Sequence, residues 1–479
     1  MRKRKRASIT VFLSLLLVLF IGFIMAMTEH ARIGGLKQRL TSALDSAMDS
    51  LFSMYDRELL DEFDLVLLNE NGLSDNKDPE EVLTEYLTKN INSKQDHLLL
   101  SGNLYRATDC STEVENTVSI VENEGELFAR SVLEFMKYRT LGIAIDKVQE
   151  QLDDLKTGEN AKKQAEDEKK QDKENFDKAF SEKTKEDQEQ YEKELGDSWL
   201  DKVEKLKEDG WLSFVLPFDQ VASAYEITAG DLPSKWRTVN FTWYHSAIGE
   251  IEENFLFTEY LLEHCRCFTS PAKTKQMAYE LEYILNGKTT DKENLKATVN
   301  SLLLLREGMN LFSAMKDQVL SGQAEAAATA LVGWTGVYPA IKLTQFAMLT
   351  GWSFAESIVD VRTLLSGGQI PIIKNAQSWS LSLSQIADFL DGDLLLTAKE
   401  QDGLTYNDYL RLLLYAQGRS DRRYRTMDVI QLRIREKNPD FSMVDCIGAV
   451  EASAKMKVSL IFYNFGSNYE LSCGQSRMY

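Results

Sequence analysis

The sequence predicts an α+β protein that is predominantly helical, with one N-terminal transmembrane helix and a small β-sheet in its exposed body. Three observations lead to this fold class. An apolar run without charged residues covers positions 9–27, directly after five basic residues. Helical spacing of apolar residues dominates most of the remaining chain. Short segments with strand character occur near both ends of the body, at residues 63–68 and 455–473, so the sheet is expected to draw strands from both ends.

The apolar run from Ile9 to Met27 has the length of a membrane-spanning helix. At about 1.5 Å per residue it extends over about 28 Å, which matches a hydrocarbon core of about 30 Å. A cleaved signal sequence would have a shorter apolar region and a small-x-small cleavage site, and residues 23–28 offer none. A buried core helix is a poor alternative directly after five basic residues. We therefore predict a single-pass cell-membrane anchor, with the basic leader (residues 1–8) in the cytoplasm and the body outside it.

Beyond the membrane run, a helical stem is predicted over residues 28–62, because apolar residues continue to recur at three- and four-residue steps. Glu29 and Arg32 lie one turn apart just outside the run, and Gly22 and Ala26 form a small-x-x-x-small pair on one face of it. Small pairs and polar bonds are typical of helix interfaces in membranes. We hypothesise that these four residues contact an assembly partner. The alternatives are that Gly22 and Ala26 are incidental and that Glu29 and Arg32 form a merely solvated pair.

The N-terminal arrangement of basic leader, single apolar helix and helical continuation resembles pilin-type proteins. SITVFL at residues 8–13 and TEHAR at residues 28–32 resemble the N-terminal segment of TadE/TadG-like proteins of tight-adherence (Flp) pilus loci. Residues 45–60 also resemble related bacterial membrane-anchored proteins of unknown function. Major pilins have a glutamate at mature position five, where cleavage after Ala7 would place Phe12. The resemblance implies a permanently anchored assembly component, with other pilus-assembly or pilin-like membrane proteins as partners.

Composition limits the remaining function classes. The net charge is −19, which argues against nucleic acid as a partner because phosphate binding requires basic patches. The bilayer itself is the partner that the apolar run predicts. Five cysteines are too few for a disulfide scaffold in a chain of 479 residues. Cys446 and Cys473 are candidates for one disulfide, and the odd count leaves at least one thiol free.

Changes in composition divide the body into parts. We predict, after the stem, a membrane-proximal α+β part (63–158), a charged helical arm or linker (159–194) and a distal, mostly helical domain that ends in a β-hairpin (195–479). The proximal part is expected to contain strands at 63–68, 98–104 and 105–113, a helix from Pro79, and a helix over 124–156. The hairpin turn is expected at residues 466–468.

Two segments have a more specific alternative interpretation, a coiled coil at 159–194 and a second membrane span at 326–355, which we do not adopt. The arm at 159–194 is mostly charged and lacks the sustained apolar a and d positions of a coiled coil, so a solvated helix or flexible insertion is predicted. The apolar region at 326–355 contains no stretch of about 18 residues free of charges and breakers. We therefore predict a buried helical hairpin there and not a second membrane span.

The sequence contains no motif that predicts catalysis or a cofactor. The four histidines lack metal-ligand spacing, and residues 263–267 group three donors that cannot all face one ion in a regular helix, so a structural thiol pair is favoured over zinc. Residues 287–290 mimic the end of a phosphate loop, but Glu282 occupies the position of the required earlier glycine.

One group of charged residues stands out within the apolar region. Glu356 and Asp360 lie one helical turn apart with Arg362 nearby, and we expect them to form a satisfied buried ionic group. The sequence therefore favours a non-catalytic structural or assembly component. The alternative is a tethered extracytoplasmic binding protein or hydrolase whose site no motif reveals.

Overall fold

A computed structural model describes most of the chain. The described residues are 5–73, 77–91, 109–139, 145–181, 183–196, 198–200, 202–203, 215, 222–237, 250–271, 276–392, 394, 396–399, 401–461 and 468–478. They confirm the predicted fold class, since helices dominate and one small antiparallel sheet is present. The predicted strand at 98–104, the first half of the one at 105–113 and the turn at 466–467 lie outside the described residues.

The chain folds into two compact units. We call the first the anchor unit; it contains Met1–Phe135, Leu232–Ala247 and Ile430–Tyr479. The second, the helical unit, contains Met136–Asp231 and Ile248–Val429. This division differs from the predicted one, because the C-terminal strands belong with the N-terminal helix and not with the distal helices.

The anchor unit is built on one helix, α1, which covers Lys5–Phe52 without interruption. Side chains of the apolar run are exposed on all faces, whereas a stripe further along the helix is fully buried. The buried stripe consists of Leu36, Leu40, Leu44, Met48 and Leu51. Its three- to four-residue spacing places it on one side of α1. The helix ends earlier than predicted, and a short helix α2 (Arg57–Phe63) follows it.

The other elements of the anchor unit come from both ends of the chain. They are β1 (Leu68–Asn69), α3 (Pro79–Ile91), β2 (Asp109–Ser119), α4 (Glu126–Met136), β3 (Cys446–Ser459) and β4 (Asn468–Met478). The segment predicted as a strand at 63–68 contributes only Leu68 to β1, because Phe63 ends a helix whose N-terminus is capped by Asp56. The helix predicted over 124–156 is divided between α4 and a later helix.

Strand β3 is the centre of the sheet and pairs antiparallel with each of the other three strands. Alternate residues of β3 face the buried side of the sheet, as the period of two for a strand requires. These residues are Val450, Ala452, Ala454, Met456 and Val458, and they share one core with the α1 stripe and with α3. Since α1 forms part of this core, its exposed apolar half is an extension of a folded unit.

The sheet register excludes the predicted disulfide. Cys446 lies opposite Asn69, whereas Cys473 lies opposite Ala454. Positions 446 and 454 are separated by about 27 Å along an extended strand. A disulfide requires Cα atoms within about 7 Å. The prediction was wrong because the number of cysteines in a sequence gives no information about the distances between them. Both residues are free thiols.

The helical unit consists of helices and their connections. Within the described residues its helices are α5 (Ile145–Phe180), α6 (Lys185–Gly196), α7 (Glu250–His264), α8 (Glu280–Asn286), α9 (Asp291–Lys316), α10 (Gln318–Val332), α11 (Tyr338–Leu365), α12 (Ile386–Leu390), α13 (Tyr406–Ala416) and α14 (Arg419–Ile434), the last of which ends in the anchor unit. Helices α10 and α11 form the predicted hairpin. Gly336 closes its turn with a φ of 64°, a conformation that glycine adopts without strain.

The charged arm is less solvated than predicted. Its helix α5 packs against α9 and α11, and a side chain at Gly158 would collide with Met309. At the far end, the rings of Phe180 and Tyr191 lie 4.9 Å apart and pack, in one cluster, on residues of α10 and α11 including Val332. The arm is therefore a helical hairpin with one buried face and one charged face.

Candidate functional site at the membrane end of the anchor helix

The point where α1 leaves its apolar run carries a buried ion pair. Glu29 is 3% exposed and Arg32 is 6% exposed. The Nη2 group of Arg32 donates a hydrogen bond to Oε1 of Glu29 at 2.6 Å and another to the carbonyl oxygen of Ser459 at 2.7 Å. The backbone N–H of Ile461 donates to the same Glu29 oxygen at 3.4 Å. The end of β3 therefore covers the pair from the side of the sheet.

This geometry corrects the predicted partner contact at Glu29 and Arg32. Both side chains are engaged within their own chain and are closed off from a neighbouring helix. A buried pair of opposite charges is tolerated when further hydrogen bonds satisfy it, and removal of one partner leaves the other uncompensated. Ser459 and Ile461 were missed by the sequence reasoning. No local signal could identify them, since more than 400 residues separate them from Arg32.

Gly22 and Ala26 differ from the ion pair in accessibility. Among the described residues, no atom beyond the local helix backbone and the two chain neighbours lies within 4 Å of the position where a side chain of Gly22 would begin, and Ala26 is only half-buried. Both lie on the α1 face that continues the buried stripe toward the N-terminus. Of the four predicted contact residues, this small pair is the part that remains open to lipid or to another membrane helix.

Among the described helices, one is long and apolar enough to span a membrane. The apolar part of α1 has a mean hydropathy of 2.8 in its best window, and none of that window is buried in the protein. An exposed apolar surface of this size is unfavourable in water and favourable in a bilayer. The structure thus supports a single-pass anchor at the N-terminus and leaves its orientation to the charge distribution.

The helical unit contains a larger buried group of charges. Asp360 accepts hydrogen bonds from Arg306 at 3.0 Å, from Asn310 at 2.9 Å and from Lys374 at 2.6 Å. Lys374 also bonds Glu356, and all four charged residues are at most 3% exposed. The predicted ionic group at Glu356 and Asp360 therefore exists.

The cations of this group are not the one predicted. Arg362 donates to the carbonyl oxygen of Leu396 at 3.0 Å, while Arg306 and Lys374 neutralise the two acids. Burial by itself would raise the pKa of Asp360, but Lys374 and Arg306 hold the pKa below its usual value. Burial raises the pKa of Glu356 despite the opposing effect of Lys374. With two acids and two bases the group is neutral, which fits a role in packing.

A second buried carboxyl group lies at the junction of α8 and α13. Glu282 is fully buried, and its Oε1 atom accepts hydrogen bonds from the Tyr406 hydroxyl at 2.7 Å and from the Phe268 N–H at 2.9 Å. Burial raises the pKa of Glu282 to about 7, and the nearby Asp291 adds to the increase. Glu282 is therefore protonated in a sizeable fraction of molecules at neutral pH. It occupies the place where a phosphate loop would need glycine.

Beside Glu282 lies part of the predicted thiol cluster. Burial raises the pKa of Cys267 to about 11, and the negative charge of Glu282 acts in the same direction. A thiol with a raised pKa is a poor nucleophile and a poor metal ligand. Within the described parts of the chain no group of three metal-ligating side chains converges. His97 and His245 lie outside those parts.

An open groove of about 820 Å³ lies next to the C-terminus of α11. Its lining includes Thr363, Gly368, Lys399, Gln401 and Asp402. The amide nitrogen and oxygen of Gln401 are both inaccessible and form no hydrogen bond within the described structure. Such groups normally bind water or a ligand. The groove is thus a polar concave surface of the helical unit with room for a small molecule.

Comparison with known proteins gives one family and nothing more specific. A family model described as a family of unknown function, DUF5702, matches residues 187–458. This range is more than half of the chain, and the chain belongs to this family. No curated protein and no solved structure matches the chain significantly.

Proposed function

We propose that this member of the DUF5702 family is a membrane-anchored, extracytoplasmic and non-catalytic component of a tight-adherence-type pilus or a related surface apparatus. The observation that carries the proposal is the continuity of α1. One helix extends from an exposed apolar run into the core of the anchor unit, so the membrane run and the folded part of that unit share one continuous helix. A flexible tether would need a loop between them.

Two further features support the assembly role. The resemblance of residues 8–13 and 28–32 to TadE/TadG-like proteins suggests the apparatus, and the absence of glutamate at Phe12 favours a permanent anchor over a filament subunit. The five basic residues of the leader favour a cytoplasmic N-terminus. The net charge of −19 keeps the extracytoplasmic body soluble.

The proposed topology is tested with single cysteines in a chain whose own five cysteines are replaced. Cysteines at Glu192 and Ala416, both exposed, should react with an impermeant thiol reagent on intact cells or spheroplasts, and a cysteine at Lys3 should not. Protection of both body positions from the reagent, together with labelling at position 3, would show that the orientation is the opposite of the proposed one. Labelling of only one of the two body positions would show that the chain crosses the membrane a second time between Glu192 and Ala416.

The proposed assembly contact is tested at Gly22 and Ala26. Replacement of both by leucine should abolish co-purification of partner proteins from mild detergent, because bulky side chains prevent close helix packing. The matched control is Phe20→Leu with Ile24→Leu, which changes two positions at the same spacing on the opposite face of α1. Full recovery of partners with both double variants, at equal membrane level, would make the anchor a simple tether.

The groove beside α11 favours a second candidate function, that of a tethered binding protein. Its polar lining fits a small polar ligand, and the buried amide of Gln401 has unused hydrogen-bonding capacity among the described residues. A thermal-shift screen of polar metabolites tests this function on the full-length protein. A hit should raise the melting temperature of the native chain and not of Gln401→Leu. A screen without any hit that depends on Gln401 would argue against this candidate.

A further inference from the structure

We propose that the end of the β3–β4 hairpin forms a second contact with the membrane, in the headgroup zone beside α1. By hairpin end we mean residues 459–461 and 468–469. The inference rests on the proposed anchor, because it locates the hairpin end relative to the apolar run of α1. Beyond the anchor itself, the proposal assigns phospholipid binding to the hairpin end, a surface of the folded body that is remote in sequence from α1.

The hydrogen bonds at the ion pair fix the level of the hairpin end. Glu29 and Arg32 follow the last residue of the run, Met27, by two and five positions. At about 1.5 Å per residue they lie about 3 Å and about 8 Å beyond the hydrocarbon core along the helix. The headgroup zone is about 5–8 Å thick on each side. Because Arg32 bonds Ser459 and Glu29 bonds Ile461, the hairpin end lies in this zone.

Two large side chains at this level, Ile461 and Tyr469, are apolar or aromatic, and both are exposed. Ile461 is 42% exposed and Tyr469 is 46% exposed. Tyr469 lies opposite Val458 in the sheet and shares the strand face of the buried Leu471, which packs in the core. Tyr469 thus occupies a core-facing position at the edge of the core, level with Val458 and next to the level of Ser459, which Arg32 contacts.

The chemistry of these side chains identifies lipid as the occupant. Tyrosine is enriched at membrane–water interfaces, since its ring prefers the acyl boundary and its hydroxyl prefers water. The exposed isoleucine at this level gains free energy by leaving water. The hairpin end contacts α1 at Glu29, two residues beyond the exposed apolar run, which is the lipid-facing part of the same unit. A protein partner would have to displace headgroups from this position.

The test uses an environment-sensitive fluorophore on single cysteines of the full-length chain in vesicles of phosphatidylcholine and phosphatidylglycerol. Labels are placed at Ile461 and Tyr469, at Leu19 within the run, and at Ser476 as the matched control. Ser476 is exposed and lies on the same strand as Tyr469, about 24 Å further along it. Lipids brominated near the headgroup or deep in the acyl chain then quench each label according to its depth.

We expect deep quenching at Leu19 and headgroup-level quenching at Ile461 and Tyr469 that exceeds the quenching at Ser476 several-fold. Equal, weak quenching at positions 461, 469 and 476 with a normal signal at 19 would overturn the hairpin contact and leave the anchor intact. Absence of quenching at Leu19 would overturn the anchor and the hairpin contact together. If the cysteine-free chain does not fold, a photo-crosslinking amino acid at the same positions replaces the label, and lipid adducts at 461 and 469 but not at 476 are the supporting result.

Discussion

The two buried charge groups of this protein differ in how they are assembled. The pair of Glu29 and Arg32 lies within one turn of one helix and is completed by two backbone groups of the chain end. The group around Asp360 combines side chains from α9, α11 and the connection that follows α11. A short-range pair can form as soon as its helix forms, whereas the larger group exists only after three segments have packed.

The two groups also differ in how completely they are satisfied. Each carboxylate oxygen of Asp360 and Glu356 accepts at least one hydrogen bond. Oε2 of Glu29 is buried and has no hydrogen-bond partner among the described residues. A fully satisfied group binds its segments rigidly, and a partly satisfied one is less stabilising. The comparison therefore predicts a larger loss of stability when the group in the helical unit is broken.

The largest effect is expected for Asp360→Ala. The change leaves Arg306 and Lys374 buried with only one acid, and breaking a buried group in this way costs about 3–5 kcal/mol. Urea unfolding of the full-length protein in detergent measures the loss by tryptophan fluorescence, since Trp379 lies beside Lys374. The control Asp388→Ala removes an exposed acid of the same unit and should cost less than about 0.5 kcal/mol. Equal midpoints for both variants would show that the buried group contributes nothing.

A smaller, pH-dependent effect is expected for Glu282→Gln. The pKa of this carboxyl is about 7 in the folded protein and 4.5 when exposed, so the folded state holds the proton more tightly. Stability is therefore lost as pH rises from about 4.5 to about 7. Glutamine cannot ionise and still accepts the bonds from Tyr406 and Phe268. The variant should gain roughly 3 kcal/mol relative to the native protein between pH 4 and pH 8.

The measurement for this prediction is the difference in urea midpoint between variant and native protein across the pH range. Taking the difference removes the contribution of every group that both proteins share. The control is Glu252→Gln, which makes the same substitution at an exposed carboxyl of the same unit. A flat difference for Glu282→Gln would mean that the carboxyl ionises as easily in the folded protein as in water.

Comparison of these groups shows where sequence reasoning succeeds. The apolar run of α1, the stripe that follows it and the acids at Glu356 and Asp360 have local spacings that dictate a helix face. The cations at Arg306 and Lys374 come from other segments, and nothing near Asp360 in sequence marks them. The same limit explains why the cover of Glu29 by the β3 end was not predicted.

Two errors have a different origin. The arm contains so many charges that its sparse aromatic residues were discounted, yet Phe176, Phe180 and Tyr191 meet at one end and bury a face of the hairpin. Their spacing on two antiparallel helices could have indicated this contact. The division into units could not be predicted from composition, because β3 returns to pair with strands more than 300 residues earlier and β4 then pairs with β3.

A moderate effect is expected at the membrane end of α1. Arg32→Gln leaves the charge of Glu29 buried, and an unsatisfied buried group costs about 1–3 kcal/mol. Hydrogen exchange in detergent should show faster exchange at the end of β3, where Ser459 loses its bond from Arg32. The double variant Glu29→Gln with Arg32→Gln removes both charges and should recover most of the loss. An unchanged exchange rate at the end of β3 in Arg32→Gln would show that the ion pair does not stabilise the sheet.

The smallest effect is expected for the exposed pair of Glu159 and Lys163 on α5. The two side chains lie 2.7 Å apart, which is as close as the buried pairs, but both are about two-thirds exposed. Water and salt screen such a pair, and holding two long side chains in place opposes the attraction. Lys163→Ala should therefore leave the urea midpoint of the helical unit unchanged within the scatter of the measurement. Phe180→Ala, on the buried face of the same helix, should lower the midpoint clearly, since it removes a ring packed on α10 and α11. If Lys163→Ala lowered the midpoint as much as Phe180→Ala, distance and not burial would determine the strength of charge pairs in this protein. The comparison between its two buried groups would then lose its basis.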